Sequence, residues 1–528
     1  MNLDAFIITK DDRHQSEYTA RHDRRYEYIS GFTGSEATVV ITNEEAALWT
    51  DGRYFIQAER QLSCDWSLIR MGQPGEPSVT EWLVQALPSK TVVGADPNLV
   101  SNSQWNKWES KLKEHNITLK EAFENPVDRI WNSTTGRPPY PEFQAYVLDL
   151  RYAGKKWKDK VNDLRKKLNS IGADAMIVTA LDEIAWLLNI RGYDIPYNPL
   201  VLAYVIVSRD DINMYTNVTK LSTEVELHLK ARNCFSDSCV RLNDYETLIP
   251  DLRTKVQKWK KVLLPAHCVM SPGASRAIYS AVPSRKRMPR QSPIIFMKAR
   301  KNQVEADGMR KAHIRDAAAL CDFLAHFEES IAAGKEWDEV NVSITLDQFR
   351  REQLLSKGPS FPTIAGFGPN GAAPHYIPTE SQNVLKIYSN STLVIDSGGQ
   401  YLDGTTDVTR TIHLGTPTDF EREAYTRVLI GSINLASLVF PREVPMSSID
   451  VLARTSLWQV GLTYLHGTGH GIGSFLVVHE SPIRVIFTEG NLTFHEGYFF
   501  SDEPGYYQEG KFGIRLENIV EVIKAHPK

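Results

Sequence analysis

Short apolar runs bounded by turn formers dominate the first part of the chain. DAFIIT, EATVVIT and AALWTDG are rich in β-branched residues and read as strands, with NEE and TDG as turns between them. RYFIQAERQL follows with helical apolar spacing. After the Pro- and Gly-bearing stretch VDRIWNSTTGRPPYPEF the pattern starts again. WKDKVNDLRKKLNSIGADAMIVTALDEIAWLLNI reads as helix, Gly stop, strand, helix. The repeated alternation predicts two similar α/β domains in tandem, over residues 1–125 and 126–295. A third unit, 296–528, opens on a long amphipathic helix over 303–331, with Met309, Ala312, Ile314 and Leu320 among its apolar positions. From there on, His, Asp, Glu and Gly become denser.

Composition agrees with three domains. A chain of 528 residues exceeds the usual span of about 100–200 per domain. Its 42% hydrophobic and 23% charged residues are those of an ordinary globular protein. Net charge is −4 and the isoelectric point is near 6.4, so no basic field is available for a nucleic acid. No segment reaches the roughly 18 apolar residues of a membrane span. The N-terminal apolar run is too short for a signal peptide and is followed at once by charge. None of the five cysteines forms a CxxC pair. Cys234 and Cys239, in NCFSDSC, are either a small disulfide or two reduced thiols. Six N-x-S/T sequons, at Asn116, Asn132, Asn217, Asn341, Asn390 and Asn491, lean mildly towards secretion.

Three stretches carry candidate chemistry. In TLVIDSGGQYLDGTTDVTRTIHLG, residues 392–415, TLVID reads as a buried strand ending on Asp396. SGGQ and DGT supply turn chemistry, and a returning strand begins at Asp407. Folding back brings the two aspartates together, where they repel unless a cation lies between them; turn capping is the alternative. YLHGTGHGIGSFLVVHESP, residues 464–482, holds His466, His470 and His479. Its glycines exclude a regular helix, and hence the helical HExxH motif, and point to close backbone approach. In FFSDEPGYYQEGKFGIRLENIVEV, residues 499–522, Glu503 precedes a Pro-Gly turn and Glu517 lies in a strand-like run. A Glu in such a run is costly unless paired or metal-bound. Arg515, two residues earlier, would share its face, so an Arg–Glu pair on a solvated face is the alternative. Four carboxylates and one imidazole suit a pair of Mn²⁺, Co²⁺ or Zn²⁺ ions. Two ions about 3.5–4 Å apart can deprotonate a bridging water and polarise a carbonyl.

These stretches resemble the pita-bread metallopeptidases, which include aminopeptidase P, prolidase and methionine aminopeptidase. YISGFTGSEATVVIT, WTDGRYF, ALDEIAWLLNIRG, IDSGGQYLDGTTDVTRT, HGTGHGIG, DEPGYY and FGIRLEN are most similar to the long, three-domain eukaryotic aminopeptidase P, and they span nearly the whole chain. The resemblance implies two creatinase-like N-terminal α/β domains and a C-terminal pita-bread catalytic domain. It implies Asp396, Asp407, His470, Glu503 and Glu517 as metal ligands, with Asp407 and Glu517 bridging two divalent ions, Mn²⁺ or Zn²⁺. Asp396 would bind one ion, and His470 and Glu503 the other. Glu503 would also be the general base. His375, in GAAPHYIP, matches a histidine near the substrate, and His479 one that stabilises the tetrahedral intermediate. His466 and Arg515 match positions lining or supporting the site. The implied activity is metal-dependent hydrolysis of the N-terminal Xaa-Pro bond of oligopeptides, through a metal-bridging water and a tetrahedral intermediate. The implied partners are peptides with proline at the second position, and a homodimer is among the assemblies it allows.

CDWSL, DIPYNPL, the NCFSDSC pair and EAYTRVLIG look more like the secreted, membrane-anchored branch, which favours an extracellular over a cytoplasmic setting. The long eukaryotic members continue past the FGIRLEN stretch, whereas this sequence ends at Lys528. That departure bears on the family's dimer contacts and on the edge of the catalytic sheet. Rival readings are a prolidase restricted to Xaa-Pro dipeptides, a metal-free creatinase, against which the complete ligand set argues, and a non-catalytic interaction module.

Overall fold

A computed structural model describes residues 2–234, 236–379, 384–488, 490 and 492–525. The chain divides into two compact units. Met1–Val147, Trp157–Pro196 and Leu200–Ile294 form one; Leu148–Lys156, Tyr197–Pro199 and Ile295–Lys528 form the other.

The first unit is built on two six-stranded sheets. The strands read from sequence are present at Ala5–Thr9, Thr38–Thr42 and Ala46–Thr50, and the following helix at Phe55–Gln61. Ala5–Thr9 pairs antiparallel with Thr38–Thr42 and parallel with Val92–Ala95, so the first strand of the chain lies inside the sheet. The second sheet follows the same wiring. Its first strand, Ala175–Val178, pairs antiparallel with Ala203–Ser208 and parallel with Val262–Pro265. Helices Trp157–Ser170 and Leu181–Leu188 flank that strand in sequence, as the periodicity predicts. The tandem repetition is therefore one of topology, which residue-level comparison of the halves barely registers. Inner strands such as Ala5–Thr9 and Ala203–Ser208 are buried at every position, so they lack the alternation of a one-sided sheet.

The long helix of the second unit is Gln303–Ala332, which runs one residue beyond the predicted end. Asn302 caps it, accepting from the backbone N–H of Val304 and Glu305, while Glu305 returns a bond to the Asn302 N–H. Its Phe323 is fully buried, stacked with Phe327 and edge-on to Trp337. Phe323→Ala is expected to cost roughly 3–5 kcal/mol, seen as a lower urea midpoint with an unchanged slope.

Behind this helix, a three-stranded antiparallel sheet places Thr392–Ser397 between Ile364–Phe367 and Val408–His413. A four-stranded sheet carries Gly469–Gly471, Glu480–Val485, Phe499–Asp502 and Asn518–Glu521. The stretch between Asp396 and Asp407 departs from the expected simple turn. Gly399–Tyr401 and Gly404–Thr405 form a small hairpin of their own, paired to Ser356–Pro359. All of SGGQ but Gly398 is thus strand, because its glycines let this excursion lie flat on its neighbours: a Cβ on Gly398 would overlap the Thr406 carbonyl oxygen.

Cys234 and Cys239 are joined as a disulfide. Asn116, Asn217, Asn341 and Asn390 are exposed and Asn132 is half-buried, while Asn491 lies outside the described residues.

Candidate metal centre

Five candidate ligand side chains, Asp396, Asp407, His470, Glu503 and Glu517, come from separate stretches of the second unit. Asp396 sits near the end of Thr392–Ser397, opposite Ile364 on one side and Thr409 on the other. Asp407 immediately precedes Val408–His413. His470 is the centre of the short strand Gly469–Gly471, and Glu503 follows the strand Phe499–Asp502. The glycines of HGTGHGIG make this possible, since a Cβ on Gly469 would overlap the Ser501 carbonyl oxygen. Close approach of the two backbones lets Ser501 serve both ligands. Its Oγ accepts from the His470 N–H at 2.9 Å and donates to Glu503 Oε1 at 3.0 Å.

Glu517 and Arg515 depart from the sequence expectation. GIRLENIVEV is not one strand: Phe512–Arg515 pairs with Gly505–Gln508, and Asn518–Glu521 pairs with Phe499–Asp502. The chain changes sheet at Leu516–Glu517, so the period-two rule no longer places Arg515 and Glu517 on one face. Both are buried, not solvated. Arg515 Nη2 donates to Asp396 Oδ2 at 2.6 Å, and Glu517 Oε2 accepts from Thr409 Oγ1 at 2.7 Å.

Ligand atoms of Asp407, His470 and Glu517 all lie within 4.8 Å of one another. His470 Nδ1 donates to the Gly471 carbonyl at 2.9 Å, which turns Nε2 inward, 3.4 Å from both Asp407 Oδ2 and Glu503 Oε1. Asp396 Oδ1 is buried without a hydrogen-bond partner. Burial is the main reason that Asp396 is raised to about 6; Arg515 opposes this and Asp407 adds to it. Burial likewise lifts Glu503 and Glu517, each helped by Asp407. Burial works against a charged imidazole, yet Asp407 and Glu503 raise His470 to about 9. Four carboxylates crowded in a largely buried site, with one carboxylate oxygen left without a donor, are a donor set that fits hard or borderline divalent cations.

Around this cluster, Arg515 Nη1 donates to the Tyr507 hydroxyl at 2.7 Å. Tyr507 reaches His466 Nε2 at 2.9 Å, and His466 Nδ1 donates to the Gly467 carbonyl. The His479 ring lies 4.2 Å from the His470 ring and nearly perpendicular to it. Behind His479, buried Glu480 pairs with Lys298 at 3.0 Å and with Lys301. His375 is half-buried in the loop after the turn Gly368–Ala372. That turn rests on the Arg515 strand, since a Cβ on Gly513 would overlap the Gly371 carbonyl oxygen. Sequence reasoning did not single out Tyr507, Ser501, Thr409 or Glu480. Tyr507 was within reach, in the DEPGYY motif; Glu480, a buried acid between apolar runs, carried the same signal as Glu517.

A buried multi-carboxylate centre of this kind suits divalent-metal chemistry, and comparison with known proteins gives the class. Residues 307–524 match the metallopeptidase family M24, and residues 1–125 and 136–305 each match a Creatinase/Prolidase N-terminal domain. Xaa-Pro aminopeptidase 2 of Rattus norvegicus is 40% identical over 100% of this chain and 77% of its own length. Xaa-Pro aminopeptidase 1 of Dictyostelium discoideum is 41% identical over 99% of this chain and 82% of its own. The crystal structure of the X-prolyl aminopeptidase of Caenorhabditis elegans, described as a cytosolic enzyme with a di-nuclear active site, superposes with a TM-score of 0.93 at 37% identity. It covers 99% of this chain and 84% of its own. The chain belongs to the Xaa-Pro aminopeptidases of the M24 metallopeptidase family. It is accordingly a metal-dependent hydrolase, with two creatinase-type domains ahead of a pita-bread catalytic domain. No helix among the described residues is long and apolar enough to cross a membrane.

Proposed function

We propose that this chain removes the N-terminal residue of oligopeptides whose second residue is proline, using two divalent cations held by Asp396, Asp407, His470, Glu503 and Glu517. The convergence of Asp407, His470 and Glu517 within 4.8 Å, in a member of this family, is the observation that carries the reading. Asp407 and Glu517 would hold both ions, Asp396 would hold one of them, and His470 and Glu503 would hold the other. Mn²⁺ or Zn²⁺ suits a set of carboxylate oxygens with one imidazole nitrogen. When bound, the ions supply Lewis acidity that activates water and polarises the scissile carbonyl.

The chain's own groups do the rest. Arg515 takes Oδ2 of Asp396, which leaves Oδ1 as the oxygen offered inward. Glu503 accepts the proton of the attacking water and passes it to the prolyl nitrogen as the bond breaks. His479, beside His470, donates to the oxygen of the tetrahedral intermediate. His375 contacts the substrate, and the Arg515–Tyr507–His466 chain holds the wall of the site. The division into residues 1–125, 126–295 and 296–528 goes with this reading.

Hydrolysis of Arg-Pro-Pro against the control Arg-Ala-Pro tests it. Arginine is expected only from Arg-Pro-Pro, lost on chelation and restored by Mn²⁺ or Zn²⁺. Arginine from the dipeptide Arg-Pro alone would move the chain to prolidase. No release under any metal condition, from folded protein, would leave the interaction module. The resemblance supports a homodimer, tested by sedimentation velocity. An oxidising, extracellular setting would need the Cys234–Cys239 pair to persist in the native protein, which thiol counts read; the similar Caenorhabditis elegans enzyme is described as cytosolic.

A further inference from the structure

Glu339 is the first residue of the helix Glu339–Arg351, and its carboxylate is completely buried. Nothing in the ligand set uses it, yet it is surrounded by donors. Oε1 accepts from the Phe367 N–H at 2.8 Å, and Asn370 Nδ2 donates to both oxygens, at 3.1 and 3.0 Å. Oε2 also accepts from the Tyr376 hydroxyl at 2.8 Å and from the Leu385 N–H at 2.9 Å. The Glu339 N–H returns a bond to the Leu385 carbonyl at 3.3 Å. Position at a helix N-terminus adds the favourable end of the helix dipole. A buried anion so fully supplied with donors is stable where a neutral isostere is not.

The donors share one property: all lie on residues 367–385. Phe367 ends the strand that pairs with Thr392–Ser397, whose other residues include Asp396. Asn370 lies in the turn that rests on the Arg515 strand. Leu385 lies at the far end of the segment, where Ile387 N–H also bonds the Trp337 carbonyl at 2.8 Å. Tyr376 lies between, adjacent to His375. One side chain therefore holds the entry, the middle and the exit of the segment that carries His375.

We propose that Glu339 is a positioning residue, which fixes His375 against the substrate by holding Phe367, Asn370, Tyr376 and Leu385 on either side of it. This rests on the reading of His375 as a substrate contact. Glu339→Gln replaces an oxygen by an NH2, so that the amide faces either the Leu385 N–H or the Phe367 N–H, donor against donor. Displacing a substrate contact by about 1 Å can cost on the order of 100-fold.

The test is a double-mutant cycle on Arg-Pro-Pro with Mn²⁺, measuring kcat and KM separately together with bound metal. Glu339→Gln is expected to lower kcat/KM by about 10- to 100-fold with metal content unchanged. In the His375→Ala background it is expected to add nothing. A wild-type kcat/KM in Glu339→Gln, or loss of its bound metal, overturns the proposal. Losses that multiply in the double variant, with His375→Ala itself impaired, overturn the clamp alone. His375→Ala at the wild-type rate overturns the reading of His375 and the proposal with it. Should Glu339→Gln not fold, Tyr376→Phe removes a single hydroxyl bond and leaves the carboxylate. It is expected to lower kcat/KM in the wild-type background and not beside His375→Ala, and multiplied losses there overturn the proposal equally.

Discussion

Asp407→Asn is expected to lose bound metal as well as activity, with kcat on Arg-Pro-Pro falling on the order of 10³-fold or more. The residue lies at the middle of the ligand set, its Oδ2 3.4 Å from His470 Nε2 and its ligand atoms in one cluster with those of His470 and Glu517. An Asn at this position keeps the shape but offers one neutral oxygen where the aspartate offers two anionic ones. It cannot serve two cations at once. The Asn also removes a negative charge that helps to raise Asp396, Glu503 and Glu517, so the folded chain should be no less stable without metal. Elemental analysis alongside circular dichroism separates the effects. Unchanged metal stoichiometry in a folded variant would rule out a shared ligand.

Glu503→Gln should behave differently. The amide oxygen can still ligate, and the Ser501 hydroxyl that now donates to Oε1 at 3.0 Å can do the same for Gln. Metal content is therefore expected to stay close to the wild-type value while kcat falls roughly 10²–10⁴-fold, the usual contribution of proton transfer. Metal retained with activity lost distinguishes the proton carrier from the shared ligand. A variant that hydrolysed Arg-Pro-Pro at near the wild-type rate would end the assignment of Glu503 as general base.

The parts of this centre legible in the sequence were those whose cost showed locally. Asp396 and Asp407 flag themselves as acids at the ends of apolar strands, and the glycines around His470 as a place where backbones touch. The face expected to be shared by Arg515 and Glu517 is lost because alternation continues through Leu516 while the pairing partner changes, and periodicity carries no record of which strand lies alongside. Glu339 was invisible for a related reason. An acid at the start of a helix is ordinary, and what makes this one unusual is the set of donors 28 to 46 positions away. The topology of the first two sheets was readable as repetition of elements, but their central first strands were not. Pairing of Ala5–Thr9 with Val92–Ala95 is a long-range contact that no local window contains.

That wiring sets an order of events during synthesis. Each N-terminal sheet has its earliest strand inside and its latest at an edge, at Thr118–Glu121 in one and Arg287–Arg290 in the other. Neither can close until its last strand has left the ribosome, so the nascent chain holds unfinished edges twice. Residues 148–156 emerge between these two closures, yet they belong to the catalytic unit. Asn302 Nδ2, which donates to the Ala153 carbonyl at 3.0 Å, is translated only after the second sheet is complete. The piece of the catalytic unit made first thus waits for its partner through the translation of an entire domain.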